Sequence, residues 1–396
     1  MTNEMTSRER MMTAMRYGIP DRVPSAPDIS NMVPCRLTGK PFWEIYVNEN
    51  PPLWKAYIDA VRYYGMDGWV VMDAAEFKWK TDVPVTTSIE KTPSRWYVRR
   101  KYHTPDGDLS ETMLSYVADA PTMTEKLIKD LKRDFPKIRH LYSDMVSYDP
   151  EPYRTARKEV GEDGIISASI GVPGLHTLLG LFDGNLEAVT YAYTDEPDLF
   201  HELCALAAKR DLQKLDVYLD MKVDAILTGG SGSVTLQSPG IWRELSLPAL
   251  KTITKRCREA GVISGIHSCG IEKYLIETCA AETDLDYVNP LEIPPMGDCR
   301  IADIRQSVGE RLCLMGNLHT TEVMLFGTAD DVRRESLKAI LDGGVNGNFI
   351  LSTGDQAGRD TPDENIFAMV SVVKEYGRYP LDVAAIQNEI ERLSRR

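Results

Sequence analysis

A histidine and a cysteine two residues apart are the pair in this sequence best suited to chemistry. His267 and Cys269 lie where an apolar run that includes Ile266 ends. Side chains at positions i and i+2 of a strand point to the same face, so the imidazole and the thiol would project side by side. Nitrogen and thiolate sulfur are ligand types that zinc prefers. The pair predicts half of a zinc site; the alternative is a buried cysteine and a hydrogen-bonded histidine that end a core strand.

Polar or ionisable side chains also follow other apolar runs. A catalytic zinc needs three protein ligands and an open fourth position. We choose Asp355, after the last run, as the third ligand, with Glu292 and His319 as competing candidates. The loop 229–233 is either an anion cradle of backbone N–H groups or a flexible loop. We assign catalysis and substrate binding to the remaining polar positions: Asp73 and Glu292 for catalysis, and Asn289, Asn317, His319 and Gln356 for substrate.

Eight apolar runs, most of them followed by a helical pattern, predict an α/β fold of the (β/α)8 TIM barrel type. An open doubly wound sheet is the alternative. Active sites of such barrels lie at the carboxyl ends of the strands, so the polar groups above would meet at one mouth. The runs are centred near Val23, Val70, Ile166, Ile226, Ile266, Tyr287, Leu314 and Ile350.

The sequence contains no evident linker or repeat, so we expect a single barrel domain over residues 1–396. Alternating residues and a Pro-Asp-Gly-Asp turn predict a β-hairpin insertion over residues 77–116. Polar helices are predicted across residues 122–147. Residues 384–396 form a charged amphipathic tail that is a candidate for packing on the barrel or on a second subunit, as in a homodimer.

The acidic composition excludes some classes of partner. Asp and Glu number 59 against 46 Lys and Arg, for a net charge of −13, with no basic run. Nucleic acid and anionic membranes are therefore not expected partners. No uncharged apolar stretch reaches the ~18 residues that a membrane span needs. The amino-terminal residues lack a signal-peptide pattern, and the seven scattered cysteines contain no C-x-x-C. We expect a cytoplasmic enzyme with reduced thiols.

Several motifs together resemble those of the uroporphyrinogen decarboxylase superfamily, and within it the zinc- and corrinoid-dependent methyltransferases of the methylcobamide:coenzyme M type. The resemblance is patchy over residues 7–28 and stronger from about Pro197 to Pro380. It implies a (β/α)8 barrel, in agreement with the count of apolar runs. The motifs are Ser7-Arg8-Glu9-Arg10, Asp21-Arg22-Val23-Pro24, His267-Ser268-Cys269-Gly270, Gly316-Asn317-Leu318 and Thr361-Pro362-x-Glu364-Asn365-Ile366.

The resemblance also separates two branches. True decarboxylases lack H-x-C and carry an arginine-rich segment near the amino terminus, whereas residues 28–32 here contain no arginine. Asp73 falls where the decarboxylases have their catalytic aspartate. The methyltransferases use H-x-C as two zinc ligands, and His267 and Cys269 match both. Their third ligand is a cysteine, where this sequence has Asp355, and His319 stands where they usually have aspartate.

The implied function is zinc-dependent methyl transfer between a corrinoid such as methylcobalamin and a small thiol, methoxylated or methylamine substrate. Because the sequence lacks D-x-H-x-x-G, the corrinoid is expected on a separate partner protein. An oxygen ligand in place of sulfur would make the metal harder and suit oxygen- or nitrogen-bearing substrates. One alternative is a metal-independent decarboxylase or lyase that uses Asp73. The other is a non-catalytic protein that binds a corrinoid or tetrapyrrole.

Overall fold

A computed structural model describes residues 4–29 and 31–395, and the elements below are those of the described residues. The strands, numbered in chain order, are β1 Gly68–Met72, β2 Glu76–Trp79, β3 Val85–Lys91, β4 Arg95–Thr104, β5 Gly107–Tyr116, β6 Thr122–Glu125, β7 Met145–Asp149, β8 Gly164–Ser169, β9 Ala225–Gly229, β10 Ile263–His267, β11 Tyr287–Asn289, β12 Cys313–Leu318 and β13 Phe349–Thr353.

The helices surround these strands, with one 3₁₀ turn at Arg139–Tyr142 and one π-helical turn at Thr320–Leu325. The α-helices are α1 Ser7–Met15, α2 Met32–Leu37, α3 Phe42–Tyr46, α4 Leu53–Tyr64, α5 Leu131–Ile138, α6 Glu151–Val160, α7 Leu175–Leu178, α8 Asn185–Asp195, α9 Pro197–Asp220, α10 Pro239–Leu245, α11 Leu247–Ala260, α12 Lys273–Glu282, α13 Ile301–Val308, α14 Ala329–Gly343, α15 Asp363–Tyr376 and α16 Val383–Ser394.

A curled parallel sheet of seven strands forms the centre, in the order β1-β8-β9-β10-β11-β12-β13. The predicted parallel α/β architecture is confirmed, but the run near Val23 does not form an eighth strand. Ser25 makes a single parallel bridge to Leu351 of β13, and its carbonyl accepts the backbone N–H of Asp67, just before β1. Pro24 and Pro27 flank this bridge, and a proline has no N–H to continue a ladder. Closure into a full (β/α)8 barrel therefore stays a prediction.

Alternate residues of the central strands enter two separate cores. One core joins strand residues such as Ile166 and Ile266 to the surrounding helices. The other lies on the concave face and includes Ile263 and Tyr287, with Met11 and Met15 of α1 covering one end. Since side chains alternate along a strand, His267 shares the concave face with Ile263, and Asn289 shares it with Tyr287.

The chain between β1 and β8 forms an antiparallel insertion. β3, β4, β5 and β6 make one sheet, and β2 pairs with β7 in a second. The prediction of helices across 122–147 is wrong at both ends, because this stretch begins with β6 and enters β7, with α5 between them. Pairing with β5 outweighs local propensity here: the hydroxyls of Ser110 and Thr112 donate to the Glu125 carboxylate at 2.8 Å each.

The tail predicted over 384–396 corresponds to α16, except for Arg396, which lies outside the described residues. Ile386 and Leu393 are buried in the same core as the outer helices. The helix therefore packs on the body of this chain, mainly along α14. Among the described residues, none of the helices combines the length and the apolar composition that crossing a bilayer requires.

Candidate metal centre

Three ligand-type side chains meet at the carboxyl end of the central sheet. His267 is the last residue of β10, Cys269 follows two residues later, and Asp355 lies two residues past β13. A nitrogen of His267, the Sγ of Cys269 and a carboxylate oxygen of Asp355 all lie within 4.8 Å of one another. Zinc bonds of about 2.0–2.3 Å in a tetrahedron separate ligand atoms by roughly 3.5 Å. The spacing fits one cation, with small adjustments of the side chains.

The backbone holds the ligand segment from both sides. On one side, Gly230 N–H donates to the His267 carbonyl (2.9 Å) and Gly232 N–H to that of Cys269 (3.0 Å). On the other side, Ser268 N–H donates to the carbonyl of Asn289 (2.8 Å). The loop 229–233 thus supports the ligand segment. Because Gly230 and Gly232 use their N–H groups in these bonds, those two groups are not free to bind an anion.

Cys269 sits in an environment that opposes a free thiolate. Burial, together with the negative charges of Asp355 and Glu292, raises the pKa of this thiol to about 11, against hydrogen bonds from Ser231 and Gly232 that lower it. The thiol of the metal-free protein is therefore neutral at pH 7. A bound cation would stabilise the thiolate that ligation requires, so the donor set fits a metal.

Glu292 is the carboxylate next to this group. Its side chain follows β11 and is only 9 % exposed. Burial raises the pKa of Glu292, and the charge of Asp355 raises it further. A carboxylate whose pKa is raised is a stronger base, and so a better proton acceptor.

Asn289 places a neutral amide beside His267. The two residues are register partners in the adjacent parallel strands β10 and β11. Asn289 is 1 % exposed, and neither its Oδ1 nor its Nδ2 has a hydrogen-bond partner within the described chain. An unsatisfied buried amide is costly, so this side chain points to a ligand or water that the amide binds.

The structure does not bring His319 into the group. Its Nδ1 accepts the backbone N–H groups of Thr321 and Glu322, at 3.2 and 3.0 Å, and so caps the turn that follows β12. His319 and Asn317 line a separate cavity of about 260 Å³ together with residues of α14. The Asn317 amide donates to the carbonyl of Cys299 at 3.3 Å.

Asp73 and Gln356 also stand apart from the three ligands. The side chain of Asp73 is 68 % exposed, and its carboxylate pairs with Lys214 Nζ at 3.2 Å. Asp73 lines a cavity of about 500 Å³ whose other walls include Trp54 and Tyr57. The Oε1 of Gln356 accepts a hydrogen bond from Asn31 at 3.0 Å.

The sequence reasoning missed His176, on the short helix α7 after β8. His176 is 7 % exposed, and burial lowers its pKa to about 4. Gln237 accepts the N–H of Leu175 with its Oε1, and its Nε2 lies 2.8 Å from His176 Nδ1. The amide therefore donates to Nδ1, which leaves the ring proton on Nε2. The ring packs against Gly230, where a Cβ would lie 3.3 Å from the ring. A lone histidine gives no motif, so only the fold reveals this contact.

Comparisons with known proteins agree with this architecture. The model of the uroporphyrinogen decarboxylase (URO-D) family matches residues 112–376. A methyltransferase from Methanosarcina mazei has a similar structure, with a TM-score of 0.64 at 17 % identity over 94 % of this chain and 99 % of that one. The methylcobamide:CoM methyltransferase MtaA of Methanosarcina barkeri is 24 % identical over 180 residues, which are 45 % of this chain and 50 % of that protein. The matched region thus spans about half the length of this curated relative. The chain belongs to the uroporphyrinogen decarboxylase family, as its motifs indicated, and it is similar to methyltransferases within it.

Proposed function

We propose that this chain transfers a methyl group between a corrinoid on a separate protein and a small substrate, with zinc held by His267, Cys269 and Asp355. The observation that carries the proposal is the convergence of these three ligand atoms within 4.8 Å. The similarity to a protein named as a methylcobamide:CoM methyltransferase supports the reaction class.

Each residue of the site has a task in this proposal. When bound, zinc supplies a Lewis acid. Cys269 and Asp355 contribute two negative charges that offset a divalent cation, and His267 contributes a neutral nitrogen. Asn289 binds and orients the substrate through its free amide. Glu292 accepts the proton of the substrate heteroatom and returns it, because burial and Asp355 raise its pKa and so make its carboxylate a stronger base.

The alternative of a metal-independent decarboxylase or lyase depends on Asp73. That carboxylate is mostly exposed and is paired with Lys214. No observation at Asp73 favours this function over methyl transfer, and a binding-only protein leaves the ligand cluster without a role.

The metal content of three proteins tests the proposal. We expect about one zinc per chain in the purified wild-type protein by elemental analysis, and loss of most of it in Cys269→Ala. Asp73→Asn is the matched control, because this carboxylate lies outside the ligand group, and it should retain the metal. A wild-type protein without zinc, or zinc retained in full by Cys269→Ala, would refute the proposed site.

A further inference from the structure

The charge around the candidate metal centre is one-sided. Cys269 experiences the charges of Asp355 and Glu292, and both are acidic. Burial and Asp355 act on Glu292, with no cation among the groups that influence it. Within the described chain, neither carboxylate forms an ion pair with a lysine, arginine or histidine. Two negative ligands offset a divalent metal, which leaves the Glu292 carboxyl group without a positive partner.

Three arginines near the amino terminus form ion pairs at the opposite end of the sheet. Asp67 and Asp224 directly precede β1 and β9, at the amino ends of the strands. Arg10 and Arg22 bind Asp67 at 2.6 and 2.9 Å, and Arg8 binds Asp224 at 2.6 Å. These ion pairs hold α1 against the sheet. They do not reach the carboxyl ends of the strands.

The group that can form hydrogen bonds beside the metal ligands is instead a neutral amide. Asn289 offers one acceptor and two donor hydrogens, all without partners in the described chain. It points to the same concave face as His267, its partner in register. A carboxamide matches a group that donates and accepts at once, such as a hydroxyl or an amide. An anionic group would use only the donor side and would leave Oδ1 facing negative charge.

We propose that the substrate group bound beside Asn289 and Glu292 is uncharged, as in an alcohol, an ether or an amide, and that the site disfavours anionic thiols. This inference rests on the proposed function and specifies its substrate class. It also agrees with the oxygen ligand Asp355, since a harder metal site suits an oxygen-bearing substrate.

Two thiols that share the same mercaptoethyl chain test the charge preference. 2-Mercaptoethanol is neutral away from its thiol, whereas 2-mercaptoethanesulfonate carries one negative charge. Titration calorimetry on the zinc-loaded protein compares their dissociation constants. Two like charges about 7 Å apart change affinity roughly 50-fold at an effective dielectric near 20, and salt reduces this to about tenfold. We expect mercaptoethanol to bind about ten times more tightly.

Two variants assign the preference to these residues. Glu292→Gln removes the negative charge and should bring the two constants within about threefold of each other. Asn289→Leu should weaken mercaptoethanol binding. Glu259→Gln, which changes an exposed carboxylate on the outer helix α11, should leave both constants unchanged. Equal or tighter binding of the sulfonate by wild type, an unchanged ratio in Glu292→Gln, or no binding of mercaptoethanol would overturn the inference.

The zinc content of the same sample separates two kinds of failure. A zinc-loaded protein that prefers the sulfonate refutes the inference on charge and leaves the proposed function intact. A wild-type protein that binds no zinc refutes both.

Discussion

Replacing Gly229 by alanine probes how the loop 229–233 supports the metal ligands. Gly229 has φ +88°, and a Cβ there would lie 2.4 Å from the carbonyl oxygen of His267 and 2.7 Å from Ile266. A side chain at this position is therefore destabilised by the unfavourable φ and by a clash with the backbone of His267. The matched control is Gly261→Ala, at φ +70° with no atom within 4 Å of its Cβ.

The expected magnitudes follow from these contacts. The left-handed backbone costs about 1–2 kcal/mol in either variant. Gly229→Ala adds about 1–3 kcal/mol of overpacking and about 1 kcal/mol for the weakened hydrogen bond from Gly230 to His267. We expect a loss of about 3–6 kcal/mol in the free energy of unfolding for Gly229→Ala. The control should lose only about 1–2 kcal/mol.

Urea unfolding measures the loss of stability, and competition with a chelator measures zinc affinity. Displacing the groups that orient a ligand typically weakens metal binding by about 10–100-fold, so Gly229→Ala should lose zinc by that factor while Gly261→Ala retains it. Equal stability losses in the two variants, or equal zinc affinities, would show that the loop does not support the ligands as argued.

Three further outcomes follow from the site and its surroundings. In metal-free protein, alkylation of Cys269 should be slow at pH 7 and accelerate toward pH 11, because its thiol pKa is raised to about 11 and only the thiolate reacts. Bound zinc should block the reaction. A fast reaction at pH 7 would contradict the environment described for Cys269. The pKa of His176 is about 4 in the folded protein against 6.5 in the unfolded chain. The free energy of unfolding of the wild type should therefore fall by about 3 kcal/mol as the pH drops from 6.5 to 4. Urea unfolding of His176→Gln should show a smaller dependence on pH. Glu272 gives the opposite dependence on pH, because burial raises its pKa to about 7. The free energy of unfolding should decline as the pH rises from 4.5 through 7. An equal decline in Glu272→Gln would contradict this.

The apolar runs of the sequence predicted most strands of the central sheet. Runs around Val70, Ile166 and Leu314 became parallel strands because buried parallel strands are continuously apolar. The prediction of a strand near Val23 is wrong because Pro24 and Pro27 limit backbone pairing. The prediction of helices across residues 122–147 is wrong because β6 pairs with β5, and the local sequence pattern does not reveal such a tertiary contact.

The candidate site was predictable where spacing or strand order determined position. His267 and Cys269 are two residues apart, and Asp355 lies two residues past the last strand, so parallel topology brings all three to one edge. His319 also ends a strand, yet its imidazole turns to cap the backbone of the following turn. That choice depends on local hydrogen bonds, which the order of strands does not determine.

The unpaired amide of Asn289 shows why a site needs both levels of information. From the sequence it is one polar residue among several strand ends. In the structure it lies in register with His267, is closed off from solvent, and lacks a partner in the described chain. Folding would select against a buried amide with nothing to bind. An amide buried beside three metal-ligand atoms points to a bound ligand or water, and a ligand that satisfies it would lie next to the metal centre.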